Sequence, residues 1–298
     1  TVLDLMLYEE NIFTESPNLK VVKGDIRDQK LLKDIIPGHD VLIHLACISN
    51  DPSFELNPTL GKSINLLPFE PLVRISKESK VKKFIYASSS SVYGLSDEKD
   101  INEEVILKPL TDYSKYKAEC EKILNSFSSN DFCVTTLRPA TVCGYSKRQR
   151  LDVVVNILTN LAFNKREITV FGGKQLRPNI HIKDMIRSYE LIIETDSAKI
   201  NKKIYNVGFE NKTVEELALK VLKIIGKDVK IKQVETDDNR SYHISSKKIE
   251  SELNFKPKFT IDDAINDLKD AFANGLLPNS LTDSKYFNIK KMQLVDLK

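Results

Sequence analysis

The 298-residue sequence lacks any apolar run that approaches the roughly 20 residues needed to span a bilayer. It also opens without a signal peptide, and we therefore expect a cytoplasmic protein with no membrane partner. An excess of one charge is missing too, because 45 basic residues stand against 42 acidic ones and are scattered along the chain. A nucleic-acid-binding protein usually shows a concentrated basic stripe, so nucleic acid is not an expected partner.

Cysteine is scarce, and the four residues of this type have no metal-ligand spacing. They are Cys47, Cys120, Cys133 and Cys143. We expect reduced, mostly buried thiols and no metal site. The composition, 41% hydrophobic and 29% charged, is that of a soluble globular protein, and the length suits one large domain or two ordinary ones.

Short apolar, β-branched segments alternate with helix-like segments in the first half of the chain. The strand-like segments are residues 1–7, 19–26, 40–46, 82–88 and 132–139, and the helix-like ones include residues 29–36, 72–79 and 116–127. Strands that are apolar along their whole length and alternate with helices predict a parallel sheet covered on both faces, which is a doubly wound α/β fold.

The regular alternation weakens after residue 145, where the pattern predicts a smaller α/β lobe. A long helix is predicted at 151–163 and a strand at 167–173. Two later helices begin at threonines, one of them at Thr213 with Glu216 in capping-box register. In the first half, Pro68 and Pro71 predict a kink or a late helix start.

A run of four serines ends one predicted strand, in YASSSSVYG at 86–94, and YSKYK follows at 113–117. With other segments, these resemble the extended short-chain dehydrogenase/reductase family, in particular its nucleotide-sugar epimerases and dehydratases. The other segments are VLD (2–4), GDIRD (24–28), VLIHLA (41–46), LRPATVCG (137–144), RPNIHIKD (177–184) and YNVG (205–208). The resemblance implies a Rossmann-type dinucleotide-binding domain at 1–144 with 178–208, and a substrate-binding lobe at 145–177 with 209–298.

By this resemblance, Ser89, Tyr113 and Lys117 form the catalytic set. Hydride transfer from a sugar carbon requires that the proton of its hydroxyl be removed, and a tyrosine with a pKa of about 10 is a poor base near neutrality. Lys117 lies one helical turn after Tyr113, and its ammonium, with the positive nicotinamide ring, is expected to lower the tyrosine pKa. The S-x-x-K spelled by Ser114 to Lys117 lacks the KTG of penicillin-recognising enzymes, and we reject that function.

The resemblance also implies the cofactor contacts. Asp4 ends the first strand, where the family's acidic residue binds the adenosine ribose, and no arginine follows it to receive a phosphate, so NAD is favoured over NADP. The whole predicted cofactor set is Asp4, Asp25, Ile26, Leu45, Ala46, Tyr113 and Lys117. The alternative is that the first five are ordinary strand-end residues. His44 is expected to be a packed strand histidine.

For the substrate, the resemblance implies that Ser89 and Asn65 lie near the sugar and that Arg177 and Arg240 meet the nucleotide diphosphate. Arginine suits this task because its planar fork binds phosphate oxygens through two donors. The alternative for each arginine is a surface salt bridge. We expect no catalytic role for two further residues of the matching segments, His181 and Asp184.

One family element is absent from the sequence, since the ten glycines form neither G-x-x-G-x-x-G nor G-x-G-x-x-G. In the family, that loop joins the first strand to the first helix and holds the pyrophosphate. The sequence begins at the family's second strand, and we expect it to be an amino-terminally truncated version of a complete enzyme. Because the missing strand is central, the strands on its two sides should face a gap, and the chain should bind dinucleotide poorly or not at all.

The resemblance favours an NAD-dependent nucleotide-sugar epimerase, most simply at C4. The related 4,6-dehydratases carry an acidic residue where this chain has Ser91, which lowers that alternative without removing it. A keto-sugar reductase with the same catalytic set is a further alternative, and a non-catalytic dinucleotide- or ligand-sensing relative is an alternative of another class. By resemblance to the family, a homodimer is expected.

Overall fold

The computed structural model of the protein describes residues 1–9, 12–95, 98, 100–236 and 243–295. Its strands are Val2–Asp4 (β1), Val21–Lys23 (β2), Val41–His44 (β3), Lys83–Ala87 (β4), Cys133–Pro139 (β5), Thr141–Cys143 (β6), Glu167–Phe171 (β7), Leu176–His181 (β8), Lys203–Val207 (β9), Glu210–Thr213 (β10) and Lys230–Val234 (β11). These confirm all the strand segments predicted from sequence, with shorter bounds.

The helices are Gln29–Ile35 (α1), Asp51–Glu55 (α2), Pro58–Asn65 (α3), Phe69–Glu78 (α4), Asp112–Phe127 (α5), Val154–Lys165 (α6), Ile182–Glu194 (α7), Ser197–Ile200 (α8), Val214–Ile225 (α9), Lys247–Leu253 (α10), Ile261–Ala273 (α11) and Asn288–Leu294 (α12). Short 3-10 turns cover Ser90–Tyr93 and Ser284–Tyr286. In the described part of the chain, no helix has the length and apolar character that a membrane crossing needs.

Two helix starts show how local sequence sets these bounds. The backbone nitrogen of Thr213 donates to Glu216 Oε2 at 2.8 Å, and Glu216 nitrogen donates to Thr213 Oγ1 at 3.1 Å, so the predicted capping box opens α9. Helix α4 starts late, at Phe69, with Pro68 as its N-cap residue. Pro71 falls in the first turn, where no intrahelical N–H bond is lost.

The parallel strands of the first half form two separate groups. Strands β3, β4, β5 and β9 form one parallel sheet in that order, while β1 pairs in parallel only with β2. Among the described strands, no ladder joins β1 to β3, which is the gap expected from the sequence. Ile43 in β3 is 37% exposed, whereas Ile85 in the next strand is fully buried.

The carboxyl-terminal part of the chain has its own core. Helices α6, α9 and α11 pack together and against β7, with the side chains of Val155, Leu158, Leu217, Val221 and Ile265 almost fully buried. Two small sheets, β10-β8-β6 and β11-β7, complete this region. Strand β6 continues directly from β5, so this region begins next to the parallel sheet.

Candidate functional site

The serine run lies in a tight turn at the carboxyl end of β4. Ser89 is extended, and its Oγ accepts hydrogen bonds from the backbone nitrogen of Ser91 at 3.1 Å and from Ser91 Oγ at 2.9 Å. The 3-10 turn that follows ends at Gly94, which has a φ of +67°. A Cβ at Gly94 would lie 1.9 Å from the carbonyl oxygen of Lys108, so glycine alone fits this close approach.

Helix α5 carries both Tyr113 and Lys117, and its start is firmly capped. The side chain of Thr111 accepts from the backbone nitrogen of Ser114 at 3.3 Å, and Ser114 Oγ accepts from the backbone nitrogen of Thr111 at 3.1 Å. Thr111 also donates to the carboxylate of Asp51, at the start of α2. Ser114 is therefore a capping residue, which agrees with rejection of the S-x-x-K motif as a nucleophile.

Lys117 is buried directly below the serine turn. Its Nζ donates to the carbonyl oxygen of Ala87 at 2.7 Å and lies 5.8 Å from the ring centroid of Tyr113. Burial lowers the pKa of Lys117, while Cys47, Tyr113 and Cys120 raise it, and the net shift is upward. The lysine is therefore held as a cation beside the tyrosine.

The pKa of Tyr113 is raised above its ordinary value. Burial is the largest cause, while the charge of Lys117 and a hydrogen bond with Ser89 lower it. Lys117 and Ser89, the two residues that lower the pKa of Tyr113, are those expected from the sequence. They do not outweigh burial, so these two side chains alone do not give the low tyrosine pKa that proton removal needs. Tyr113 is only 8% exposed, with its ring against Phe54, so its desolvation cost is large.

Sequence reasoning missed a buried polar network beneath the site. Glu121, on the same face of α5 as Lys117, accepts two hydrogen bonds from Arg138, at 3.0 and 2.6 Å. Ser88 also donates to Glu121, and Arg138 donates to the hydroxyl of Tyr93 at 2.8 Å. Glu121 lies four residues after Lys117, a spacing that offered a signal for this position. The network ties α5 to the residue just before Ser89.

Apart from Tyr113 and Lys117 on α5, the predicted cofactor residues lie near the carboxyl ends of β1, β2 and β3. Asp4 is exposed at the end of β1, and its Oδ1 accepts from the backbone nitrogen of Met6 at 2.7 Å. Asp25 forms an ion pair with Arg27 at 2.7 Å, and burial opposes but does not outweigh the lowering of its pKa by Arg27. Leu45 is 56% exposed beside the gap.

Two more of these residues follow β2 and β3. Ile26 packs against the hydrophobic cluster that contains Tyr113 of α5, which links the end of β2 to this cluster. Ala46 follows Leu45 and is half-buried. The cofactor contacts of all these residues remain predictions.

The predicted substrate residues are less closely grouped. Asn65 is buried, and its amide both donates to and accepts from the backbone of Ile48, at 2.9 and 2.8 Å, so it braces the loop after β3. Arg177 lies on β8, and its Nη1 donates to the carbonyl of Leu176 at 3.0 Å. Arg240 lies outside the described residues. Their substrate contacts remain predictions.

Three further polar residues have structural roles. His44 is 7% exposed and lies near the rings of Phe69 and Tyr86, at 5.4 and 5.9 Å between centroids, which confirms a packed strand histidine. His181 caps α7 by accepting from Lys183, and Asp184 accepts from two backbone nitrogens that precede α11. Within the described ranges, no group of three or more metal-ligating side chains occurs.

The family model described as the NAD dependent epimerase/dehydratase family matches residues 6–208. A dTDP-D-glucose 4,6-dehydratase from Dictyostelium discoideum is 31% identical over 228 residues, which is 70% of this chain and 51%, about half, of that relative. A UDP-glucose 4-epimerase from Lactobacillus helveticus is 27% identical over 89% of this chain and 86% of its own length. The solved dTDP-glucose 4,6-dehydratase of Streptomyces venezuelae superposes with a TM-score of 0.82 at 21% identity, covering 94% of this chain and 89% of that one, and so shows a shared fold. With more than half of its length matched by the family model, the chain belongs to the NAD-dependent epimerase/dehydratase family.

Proposed function

We propose that this chain acts on a nucleotide sugar as an NAD-dependent C4 epimerase. The observation that carries the proposal is the pair Tyr113 and Lys117, with the lysine fixed by the Ala87 carbonyl and Ser89 at the end of the same strand, β4. A tyrosine, a buried cation and a hydroxyl in this order suit the oxidation of a sugar alcohol. The division into a dinucleotide-binding domain and a substrate lobe, as predicted from the sequence, is part of this proposal.

The chain's residues fit both ends of NAD. Asp4, with an exposed carboxylate, would bind the adenosine ribose, and Leu45, Ala46, Tyr113 and Lys117 would line the site toward the nicotinamide. Bound NAD would supply a reversible hydride acceptor for the oxidation of the sugar carbon. Ile26 would support the adenine end from β2.

In the proposed reaction, Tyr113 as phenolate takes the proton of the C4 hydroxyl while the C–H electron pair leaves carbon as hydride. Lys117 stabilises the phenolate, and Ser89 hydrogen-bonds the sugar oxygen, which becomes a ketone oxygen. The 4-keto sugar turns within the site and receives the hydride on its other face. Tyr113 then returns the proton to the oxygen, so no atom is lost or gained overall.

The 4,6-dehydratase is the second candidate because the 31% identical relative carries that name. Loss of water from C5 and C6 needs a further acid in the site. The related dehydratases carry an acidic residue at the position of Ser91 in this chain. Ser91 Oγ donates a hydrogen bond to Ser89 Oγ. The Ser91 hydroxyl is a much weaker acid than a carboxylic acid, so the local chemistry favours epimerisation. Reduction of a keto sugar is a third candidate reaction.

The test is to incubate the chain with NAD in the millimolar range, which offsets weak dinucleotide binding, and with UDP-, dTDP-, GDP- and CDP-sugars. Products are read by mass spectrometry and proton NMR. An isomer of unchanged mass supports the epimerase, and loss of one water overturns it in favour of the dehydratase. A keto sugar consumed with NADH in place of NAD indicates the reductase.

Variants of the catalytic helix separate catalysis from simple binding. Tyr113→Phe should lower turnover by at least about a thousandfold because the base is gone, with substrate affinity nearly unchanged. Tyr116→Phe is the matched control, since Tyr116 lies on the same helix and packs against Phe54. If the unaltered chain and Tyr116→Phe both bind a nucleotide sugar but neither turns it over, the chain is a sensing relative and the proposal fails.

A further inference from the structure

Two arginines of the segment before α6 have buried nitrogens without partners. Nη1 of Arg148 and Nη2 of Arg150 are buried, and within the described structure neither has a hydrogen-bond partner. A buried guanidinium N–H that donates to nothing is costly, because it has lost its water without replacement. Two such nitrogens, on arginines two residues apart, indicate a binding site for a ligand that carries hydrogen-bond acceptors.

The charge of this cluster is also unbalanced. Arg150 pairs with Asp152 at 2.9 Å, but no carboxylate pairs with Arg148 in the described ranges. The guanidinium of Arg148 instead lies over the ring of Tyr8, with its Cζ 3.6 Å from the ring centroid. Burial and the charge of Arg150 lower the pKa of Arg148, while Tyr8 and Asp152 raise it, and the net shift is downward. An anion would relieve both costs.

The cluster also lies at the edge of the sheets where ligands bind in doubly wound folds. Tyr8 belongs to the loop after β1, and Arg148 Nη2 donates to Asn288 Oδ1 at 2.8 Å. Asn288 in turn donates to Ser49 in the loop after β3, at 2.9 Å. Arg148 thus connects the loops at the carboxyl ends of β1 and β3, which is the position of the crevice in this fold class.

We propose that Arg148 and Arg150 form an anion subsite that binds a phosphate group of a nucleotide. A guanidinium fork presents paired N–H donors to phosphate oxygens, and the unpartnered nitrogens provide one donor from each arginine. The phosphate belongs either to the nucleotide sugar or to the dinucleotide. The choice of these two nucleotides as ligands rests on the proposed function, whereas the anion subsite itself does not.

The test is calorimetric titration of the full chain with three probes, namely inorganic pyrophosphate, UDP and NAD. Replacement by glutamine in Arg148→Gln and Arg150→Gln keeps polarity but removes the charge and the fork. Each change should weaken binding of pyrophosphate roughly tenfold or more, since a charged hydrogen bond is lost. A loss confined to UDP assigns the subsite to the sugar nucleotide, and a loss confined to NAD assigns it to the cofactor.

Arg166→Gln is the control, because Arg166 lies on the surface in an ion pair with Asp228. Arg148→Lys tests the fork itself, since it keeps the charge but not the paired donors. If none of the three probes binds the unaltered chain at millimolar concentration, the proposal is overturned. It is also overturned if both glutamine variants bind as the unaltered chain does and differ only in melting temperature. Binding of inorganic pyrophosphate requires no turnover, so failure of the catalytic proposal is distinguishable from failure of this one.

Discussion

At the scale of single residues, the sequence supplied a candidate base, Tyr113, but not the environment of its hydroxyl. Tyr113 and Lys117 share a helix face because they lie four residues apart, and this follows from helical geometry alone. The Ala87 carbonyl that holds Lys117 comes from a strand 30 residues earlier. Only the packing of α5 against β4 brings it there.

Titration of the buried His44 should make the stability of the protein depend on pH below neutrality. Burial, together with the charge of Lys117, lowers its pKa from 6.5 to about 3. In the unfolded chain the imidazole has an ordinary pKa, so it binds a proton below pH 6.5 while the folded one stays neutral. Its contribution to stability is therefore complete above about pH 6.5 and is lost as the pH falls from there toward about 3.

We expect the free energy of unfolding to fall by about 2 kcal/mol more in the unaltered chain than in His44→Phe between pH 7.5 and pH 5. Phenylalanine keeps the aromatic contacts with Phe69 and Tyr86 but cannot be protonated. Urea unfolding curves at both pH values measure the difference, and titrating groups elsewhere cancel between the two proteins. Equal pH sensitivity would show that His44 does not have the lowered pKa.

At the scale of secondary-structure elements, start signals were readable because they act within one turn. The capping box at Thr213 and the late start of α4 after Pro68 were both confirmed. The tertiary contacts of the serine turn could not be predicted from the sequence. Its Gly94 meets the backbone of Lys108, from a loop 14 residues further on, and no local pattern announces such a contact.

Gly94→Ala should therefore destabilise the protein more than an alanine placed at another left-handed glycine. Gly38 has a φ of +85°, and among the described residues other than its chain neighbours no atom lies within 4 Å of the position of an alanine Cβ, so Gly38→Ala should cost only the backbone strain, about 1 kcal/mol. At Gly94 the overlap with the Lys108 carbonyl adds at least about 2 kcal/mol. Urea unfolding of both variants checks this, and equal losses would contradict the close approach.

At the scale of the whole molecule, the parallel strands of the first half are divided between two sheets, β1-β2 and β3-β4-β5-β9. Strand β3 pairs with β4 on one side, and within the described chain no strand pairs with it on the side toward β1. Alternate residues of a strand direct their N–H groups to opposite sides, so about half of the β3 amides should lack a ladder partner.

Hydrogen exchange followed by NMR should detect this asymmetry. We expect alternate amides in Val41–His44 to exchange much faster than all those of Lys83–Ala87, because β4 has a partner on both sides. The strand β5, which also has two neighbours, is the internal control. Uniform protection across β3 would mean that another chain segment or a second copy covers its open edge.

The sequence by itself predicted the strands of the first half, several of the helices and, through the family resemblance, the candidate set Ser89, Tyr113 and Lys117, because apolar periodicity, capping signals and short motifs all act within a few residues. Tertiary structure decided the rest. The burial that raises the pKa of Tyr113, the Glu121 to Arg138 pair and the unpartnered nitrogens of Arg148 depend on contacts between distant segments. Desolvation depends on everything around a group, and this is set only when the chain has folded.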